Sequence, residues 1–203
     1  MTTEYMQLIL LSLFAAVTGL KYLVSVIRGI RPVVILKGNK KLSEKALEFL
    51  PVAGTGLAIL LVLRNIFTPQ ICPFLSKGFT IPLIVEVAGY FVAFLSLTLL
   101  IAGYHALGSS WKVGTDEESK ERFVTDGIFA YTRNPVYIFF SVFSASLFLI
   151  NGDYSLLILF VLITVSLHLQ VLREERILSK QYGAVYKEYL ARVPRYFSKG
   201  KSR

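Results

Sequence analysis

Residues 133–172 read RNPVYIFFSVFSASLFLINGDYSLLILFVLITVSLHLQVL, and they decide how the chain folds. Two apolar runs, at 136–150 and 154–172, flank the polar triplet Asn151-Gly152-Asp153, which is typical of a turn. Both runs approach the length that a helix needs to cross a bilayer, about 20 residues. Backbone in lipid must satisfy its own hydrogen bonds, so we predict two transmembrane helices paired as a hairpin.

The rest of the chain is equally apolar. Of its 203 residues, 54% are hydrophobic and only 17% are charged, and the mean hydropathy is +0.60, which is too apolar for a soluble domain. Three further apolar segments lie at 6–27, 46–67 and 80–104. The sequence therefore predicts an all-α integral membrane protein with about five transmembrane helices. We expect residues 1–104 to form a three-helix membrane anchor and residues 105–203 to form a catalytic half.

A sixth helix is predicted after the last span. Apolar side chains recur there at spacings of three and four residues, with basic residues opposite, which indicates an amphipathic helix lying on the membrane surface or covering a site. Its apolar positions are Ile177, Leu178, Tyr182, Val185, Tyr186 and Tyr189.

The positive charge is unevenly distributed along the chain, whose net charge is +9. Basic residues crowd the connections after the first and third spans and the segment after the fifth, whereas the other two connections hold almost none. By the positive-inside rule we predict that the N-terminus is outside, and that the C-terminus and the active site are cytoplasmic. Membrane orientation and anionic lipid account for the basic surplus, so nucleic acid is not predicted as a partner.

Few polar residues interrupt the predicted spans. Lys21 and Arg64 are expected to extend toward opposite membrane surfaces, and Glu86 is expected nearer the middle of its span, where a carboxyl group is a functional hypothesis. The single cysteine, Cys72, has no partner for an internal disulfide. Two histidines far apart from it predict no metal site.

Two polar features flank the hairpin at the same membrane face. One is Arg133-Asn134-Pro135-x-Tyr137 before the fourth span, and the other is Glu174-Glu175 after the fifth. One reading is a salt-bridge cluster that pins the hairpin, with Arg133, Arg173 or Arg176 as the cations. The other reading is a pocket for a polar, partly cationic ligand.

The side chains of this second reading suit a zwitterion that carries a sugar and a base. The glutamates would bind an amino group or ribose hydroxyls, and Arg133 would grip a carboxylate. Backbone groups near Gly127, with the ring of Tyr131 or Tyr137, would hold a planar base. S-adenosylmethionine is one molecule of this kind.

The order of motifs from Leu107 to Tyr196 resembles the isoprenylcysteine carboxyl methyltransferase family and the related membrane phospholipid methyltransferases. The residues that carry this resemblance are Leu107, Gly108 and Trp111; Gly127, Phe129, Arg133, Asn134, Pro135 and Tyr137; Glu174 and Glu175; and Tyr182, Gly183, Tyr186 and Tyr189. The resemblance implies a small membrane enzyme that uses S-adenosylmethionine and takes a lipophilic acceptor sideways from the bilayer.

Three positions depart from the family pattern. Asn134 stands where histidine is usual, and an amide does not titrate near neutral pH. Phe129 replaces a tyrosine, and Gln170 stands where prenylcysteine enzymes carry an arginine. His168 or Arg173 is the alternative grip for the acceptor carboxylate.

We predict roles in the reaction for individual residues. Arg133, Arg173 and Arg195 are predicted as catalytic, with Arg173 or Arg195 orienting the acceptor, while Trp111, Gln170 and Tyr186 are predicted to contact it. The predicted cofactor-binding residues are Val124, Gly127, Tyr131, Arg133, Asn134, Pro135, Tyr137, Glu174 and Glu175.

The predicted reaction is carboxyl methylation of a prenylcysteine-like substrate, and the predicted partners are a lipophilic or prenylated acceptor and membrane lipid. Phospholipid N-methylation and thiol S-methylation remain open as alternatives. So do a membrane reductase that binds a nicotinamide dinucleotide and a non-catalytic membrane protein.

Overall fold

The computed structural model describes residues 2–30, 33, 40–76, 78–113 and 123–197. Within these residues the chain is built of five α-helices and three short 3-10 turns, without a β-strand, so the predicted all-α class is confirmed. The helices are α1 (Thr2–Ile27), α2 (Leu42–Phe67), α3 (Leu83–Leu107), α4 (Pro135–Asn151) and α5 (Tyr154–Arg192). Several basic residues of the predicted loops lie outside the described residues: Arg31, Lys37, Lys77, Lys120, Arg122, Lys199, Lys201 and Arg203.

Four of the helices, α1, α2, α3 and α5, are long and apolar enough to cross a membrane. The fifth, α4, has 17 residues, which corresponds to about 26 Å at 1.5 Å per residue. It is nevertheless the most central helix, because Phe139, Phe143 and Leu147 are each at most 1% exposed. The protein is therefore an integral membrane protein whose shortest helix is enclosed by the others.

Helices α3 and α4 run antiparallel and approach closely at both ends. A Cβ atom at Gly103 would lie 2.8 Å from a methyl carbon of Val136, and one at Gly89 would lie 3.0 Å from Cγ1 of Ile150. Glycine at these two positions lets the helix backbones pack together. This contact fixes the start of α4 against the end of α3, where the cavity described below lies.

Helix α1 packs on α4 through aromatic rings. The ring of Phe14 stacks on Phe143 at 5.1 Å and on Phe139 at 5.8 Å between centroids. The central core also includes Leu10 and Leu11 of α1. The predicted anchor and the predicted catalytic half therefore share one core.

The predicted hairpin turn is present between α4 and α5. Gly152 has a φ of 75°, and its N–H donates to the carbonyl of Phe148 at 2.7 Å, which ends α4 in the left-handed geometry that favours glycine. Asp153, which is buried, accepts a hydrogen bond of 2.5 Å from the amide of Asn65 at the end of α2. The turn is thereby tied to α2.

Helix α5 differs from its prediction. It continues past residue 172 to Arg192, so the span and the amphipathic segment form one element of 39 residues. Its helical geometry is interrupted at Gly183, with φ 53° and ψ −119°. The spacing pattern ran across this glycine and predicted no break. Beyond the break, Tyr186 is buried, whereas Val185 is 63% exposed.

Three charged side chains lie where their contacts could not be read from the pattern. Lys21 donates to the carbonyls of Tyr104 and Gly108 at the end of α3. Arg64 binds three carbonyls of the connection that follows α2. Glu86 lies in the first turn of α3, not near its middle, where the positive end of the helix dipole favours a carboxylate.

Candidate functional site

A cavity of about 270 Å³ lies where the end of α3, the start of α4 and the extension of α5 meet. It is close to the size of small-ligand pockets, about 300–1,000 Å³. Its walls combine aromatic rings with two carboxylates and two cations. The lining residues are Leu107, Ser110, Trp111, Lys112, Phe123, Val124, Phe129, Arg133, Asn134, Pro135, Val136, Tyr137, Glu174, Glu175, Ile177, Leu178, Gln181, Tyr182, Tyr186 and Tyr189.

One wall is formed where the chain enters α4. A 3-10 turn, Gly127–Ala130, precedes the helix, and Gly127 has a φ of 60°. Pro135 occupies the first helical position, where its missing N–H costs no hydrogen bond. This entry places Arg133 and Asn134 side by side on the cavity rim.

A buried hydrogen-bonded group surrounds Glu174. The hydroxyl of Tyr137 donates to Oε1 of Glu174, and Nε2 of Gln170 donates to the same oxygen at 3.5 Å. Tyr137 lies in the first turn of α4, and Gln170 lies one turn before Glu174 on α5. They fix the carboxyl group of Glu174 at the cavity wall.

Glu175 forms ion pairs with two arginines. Arg195 approaches both carboxylate oxygens, with Nε at 3.0 Å and Nη2 at 2.7 Å, and Nη1 of Arg133 lies 3.2 Å from Oε1. Hydrogen bonding to Glu175 raises the pKa of the Arg195 guanidinium above its usual range. Bidentate pairing of this kind also fixes geometry. Glu175 therefore holds Arg133 in place at the rim.

The segment 193–197, which we call the C-terminal strap, crosses the entry to α4. The carbonyl of Arg195 accepts hydrogen bonds from Thr132 Oγ1 at 3.2 Å and Asn134 Nδ2 at 3.1 Å. The N–H of Arg133 donates to the carbonyl of Pro194 at 3.1 Å. The side-chain amide of Asn134 therefore holds the strap.

An aromatic cluster covers the other side of the cavity. Phe123 stacks on Tyr182 with ring centroids 5.0 Å apart and packs edge-on against Tyr186 and Tyr189. The hydroxyl of Tyr189 donates to the carbonyl of Phe129 at 2.7 Å. The break at Gly183 lies between Tyr182 and Tyr186, and both of these rings line the cavity.

Most of the predicted site residues meet at this cavity. Nine of them line it: Trp111, Val124, Arg133, Asn134, Pro135, Tyr137, Glu174, Glu175 and Tyr186. Of the others, Gln170 donates a hydrogen bond to Glu174, and Arg195 donates one to Glu175. Gly127 shapes the entry turn, and Tyr131 is 70% exposed outside the lining.

Arg173 faces away from the cavity. Its guanidinium pairs with the buried carboxylate of Glu48 on α2 at 2.5 Å and lies 3.6 Å from Glu44. Lys40 pairs with the same Glu48 at 2.7 Å. Arg173 is adjacent in sequence to Glu174, but consecutive helical residues point about 100° apart. The structure therefore places its guanidinium against α2, and Arg173 is not among the residues that line the cavity.

Several lining residues were absent from the predicted site. Ile177, Leu178, Gln181 and Tyr182 follow Glu174 at spacings of three and four residues, so helical periodicity alone would have found them. Lys112 lies shortly before, and Phe123 directly after, the residues 114–122 that the structure does not describe. No motif marks Lys112 or Phe123.

A family model described as phospholipid methyltransferase matches residues 84–185, just over half of the chain. The match runs from the start of α3 into the last part of α5 and contains most of the cavity lining. A search of curated proteins found no match to the sequence.

Proposed function

Since the chain belongs to the phospholipid methyltransferase family, we propose that it transfers a methyl group from S-adenosylmethionine to a lipophilic acceptor that reaches the cavity from the membrane. The observation that carries this proposal is the cavity at the membrane-helix ends, in which Glu174, Arg133 and several aromatic rings converge.

The donor set fits this cofactor. The carboxylate of Glu174 suits its ammonium group or its ribose hydroxyls, and the rings of Phe123 and Tyr182 suit a planar base. The Nε–H of Arg133 is buried and has no acceptor among the described residues. An anionic group in the cavity would supply the missing acceptor, so a bound carboxylate accounts for a buried polar atom that is otherwise costly.

The bound sulfonium would supply an activated methyl group and a good leaving group. The residues of the chain would then align the two reactants and exclude water. Glu175 would contribute indirectly, by holding Arg133, and the C-terminal strap would keep that arrangement closed. Transfer to an acceptor atom would break the carbon–sulfur bond and leave the sulfur as a neutral thioether.

The acceptor proposed first is a carboxylate of a prenylcysteine-like molecule. A carboxylate is nucleophilic at neutral pH without losing a proton, whereas an amine or thiol needs a base. No histidine is present in the cavity lining, as far as the structure describes it. Arg173 and Arg195, the two residues predicted to orient the acceptor, are not among the lining residues, because Arg173 pairs with Glu48 and Arg195 with Glu175.

Phosphatidylethanolamine is the second candidate acceptor, because the matching family model is described as phospholipid methyltransferase. The product distinguishes the two reactions. A methyl ester releases methanol in alkali, whereas an N-methyl group does not. We further propose that the cavity faces the cytoplasm, in accord with the basic connections at that end of the bundle.

Calorimetric titration with S-adenosylhomocysteine tests the cofactor site. We expect the wild-type protein in detergent to bind in the micromolar range and Glu174→Gln to lose binding. Glu188→Gln is the matched control, since Glu188 also lies on α5 but its side chain is 71% exposed. Folded wild-type protein that does not bind would refute the proposal, and retained binding in Glu174→Gln would remove this residue from the site.

A further inference from the structure

Lys21 connects α1 to the wall of the cavity, although α1 lies outside the matched residues 84–185. Its ammonium donates to the carbonyl of Tyr104 at 2.8 Å and to that of Gly108 at 2.7 Å. Both carbonyls belong to the end of α3, just before the segment that lines the cavity.

The end of α3 needs such a partner. The last carbonyls of a helix have no intrahelical donor, and the negative end of the helix dipole favours a cation. Gly108 turns the chain out of the helix with a φ of 51°. The carbonyl of Tyr104 also accepts the N–H of Gly108, so Lys21 adds a second donor to that carbonyl and supplies one to the carbonyl of Gly108, where the chain leaves α3 for the cavity wall.

The same ammonium contacts two aromatic rings. It lies 5.9 Å from the ring centroids of both Tyr104 and Trp111, a distance at which a cation is attracted to the ring face. The two rings pack edge-to-face with centroids 5.0 Å apart. Trp111 is 7% exposed and lines the cavity. One side chain of α1 thus fixes the backbone before Trp111 and also the ring itself.

We propose that Lys21 is a positioning residue for the methyl-transfer cavity, holding the wall formed by Leu107, Ser110, Trp111 and Lys112. This inference rests on the proposed function for its consequence in ligand binding. Its structural part, the placement of Trp111, stands independently. Helix α1 then shapes the cavity in addition to anchoring the chain in the membrane.

The composition of the chain provides a direct readout, because Trp111 is its single tryptophan. Lys21→Met keeps the length of the side chain and removes the charge. We expect a red-shifted Trp111 emission and stronger quenching by acrylamide in the ligand-free protein. Thr18→Val is the control on α1, since within the part of the chain that the structure describes the hydroxyl of Thr18 bonds only to carbonyls of its own helix. It should match the wild type.

Two further variants keep the test decisive if Lys21→Met does not fold. Lys21→Arg retains the charge and several donors, so emission and quenching should remain near wild type. Lys21→Gln retains one amide donor group without charge, so both should change in the direction expected for Lys21→Met. Wild-type emission and quenching in Lys21→Gln, or equal changes in the arginine and glutamine variants, would overturn the proposal.

Titration with S-adenosylhomocysteine then tests the functional consequence. We expect binding to weaken about tenfold in Lys21→Gln, which corresponds to 1.4 kcal/mol, and to stay unchanged in Thr18→Val. Wild-type affinity in a variant whose Trp111 has moved would refute the link to the cavity. Absence of binding in the wild type would refute the proposed function, while the quenching result would still decide the role of Lys21.

Discussion

A group of ion pairs around the buried carboxylate of Glu48 joins α2 to α5. The side chain of Glu48 is 0% exposed and pairs with Lys40 at 2.7 Å and Arg173 at 2.5 Å. Glu44, one turn earlier on α2, lies 3.6 Å from Arg173 and is 34% exposed. Glu48→Gln removes the charge that both cations share. Glu44→Gln makes the same chemical change at a more exposed position.

The burial of Glu48 sets the expected size of the effect. Removing one partner of a buried ion pair costs about 3–5 kcal/mol, because the other charge stays buried without compensation. Glu44 is 34% exposed, so its pair with Arg173 should contribute less than the Glu48 pairs, closer to the value of a surface pair, about 0–1 kcal/mol. At about 2–4 °C per kcal/mol for a chain of this size, Glu48→Gln should lower the melting temperature by about 10 °C and Glu44→Gln by about 2 °C.

Thermal unfolding in one detergent, followed by Trp111 fluorescence, measures both variants. The reasoning requires that Glu48→Gln melts well below Glu44→Gln. A Glu48→Gln variant that melts with the wild type would show that the ion cluster does not hold α2 to α5. Equal losses in the two variants would show that burial does not set the cost.

Two further predictions concern the last part of the chain. Arg195→Met removes the bidentate donors to Glu175, so Arg133 loses its fixed position, and we expect S-adenosylhomocysteine to bind about tenfold more weakly; calorimetry that finds wild-type affinity would contradict this. Gly183→Ala places a Cβ atom at φ 53° and ψ −119°, which costs about 1–3 kcal/mol. The melting temperature should fall although, apart from its chain neighbours and the backbone of its own helix, no atom of the described residues lies within 4 Å of the new Cβ atom. An unchanged melting temperature would contradict the backbone geometry assigned to Gly183.

Hydropathy and turn chemistry were sufficient for the helices. The polar triplet at 151–153 predicted the α4–α5 turn, and the apolar blocks predicted α1 to α4 to within a few residues, whereas α5 begins where predicted but continues past residue 172 to Arg192. The break at Gly183 was not predicted, because a spacing of three and four residues continues across a glycine whatever its φ. Backbone geometry at one residue leaves no periodic signal in the sequence.

The site was predictable where its residues form local motifs. Arg133, Tyr137 and Glu174 lie together at the cavity because a hairpin brings the two motifs to one end. Contacts that join distant helices were not predictable. The partners of Lys21 are an example, because its two acceptors are backbone carbonyls 83 and 87 residues away in the sequence. A backbone atom leaves no signature in the sequence.

The division between Glu174 and Glu175 also needed the structure. The sequence analysis assigned the same cofactor-binding role to both glutamates, but neighbouring helical residues point in different directions. Glu174 receives Tyr137 and Gln170, whereas Glu175 receives Arg133 and Arg195. One glutamate is therefore held by neutral donors at the cavity wall, and the other carries the ion pairs that position Arg133.

Methyl transfer itself tests the central claim most directly. Protein reconstituted in lipid bilayers would receive S-adenosylmethionine with a radiolabelled methyl group, and either a prenylcysteine analogue or phosphatidylethanolamine. We predict label in the organic extract for the wild type and Glu188→Gln, and none for Glu174→Gln. Folded wild-type protein that transfers no label to either acceptor or to a total membrane lipid extract would contradict the account.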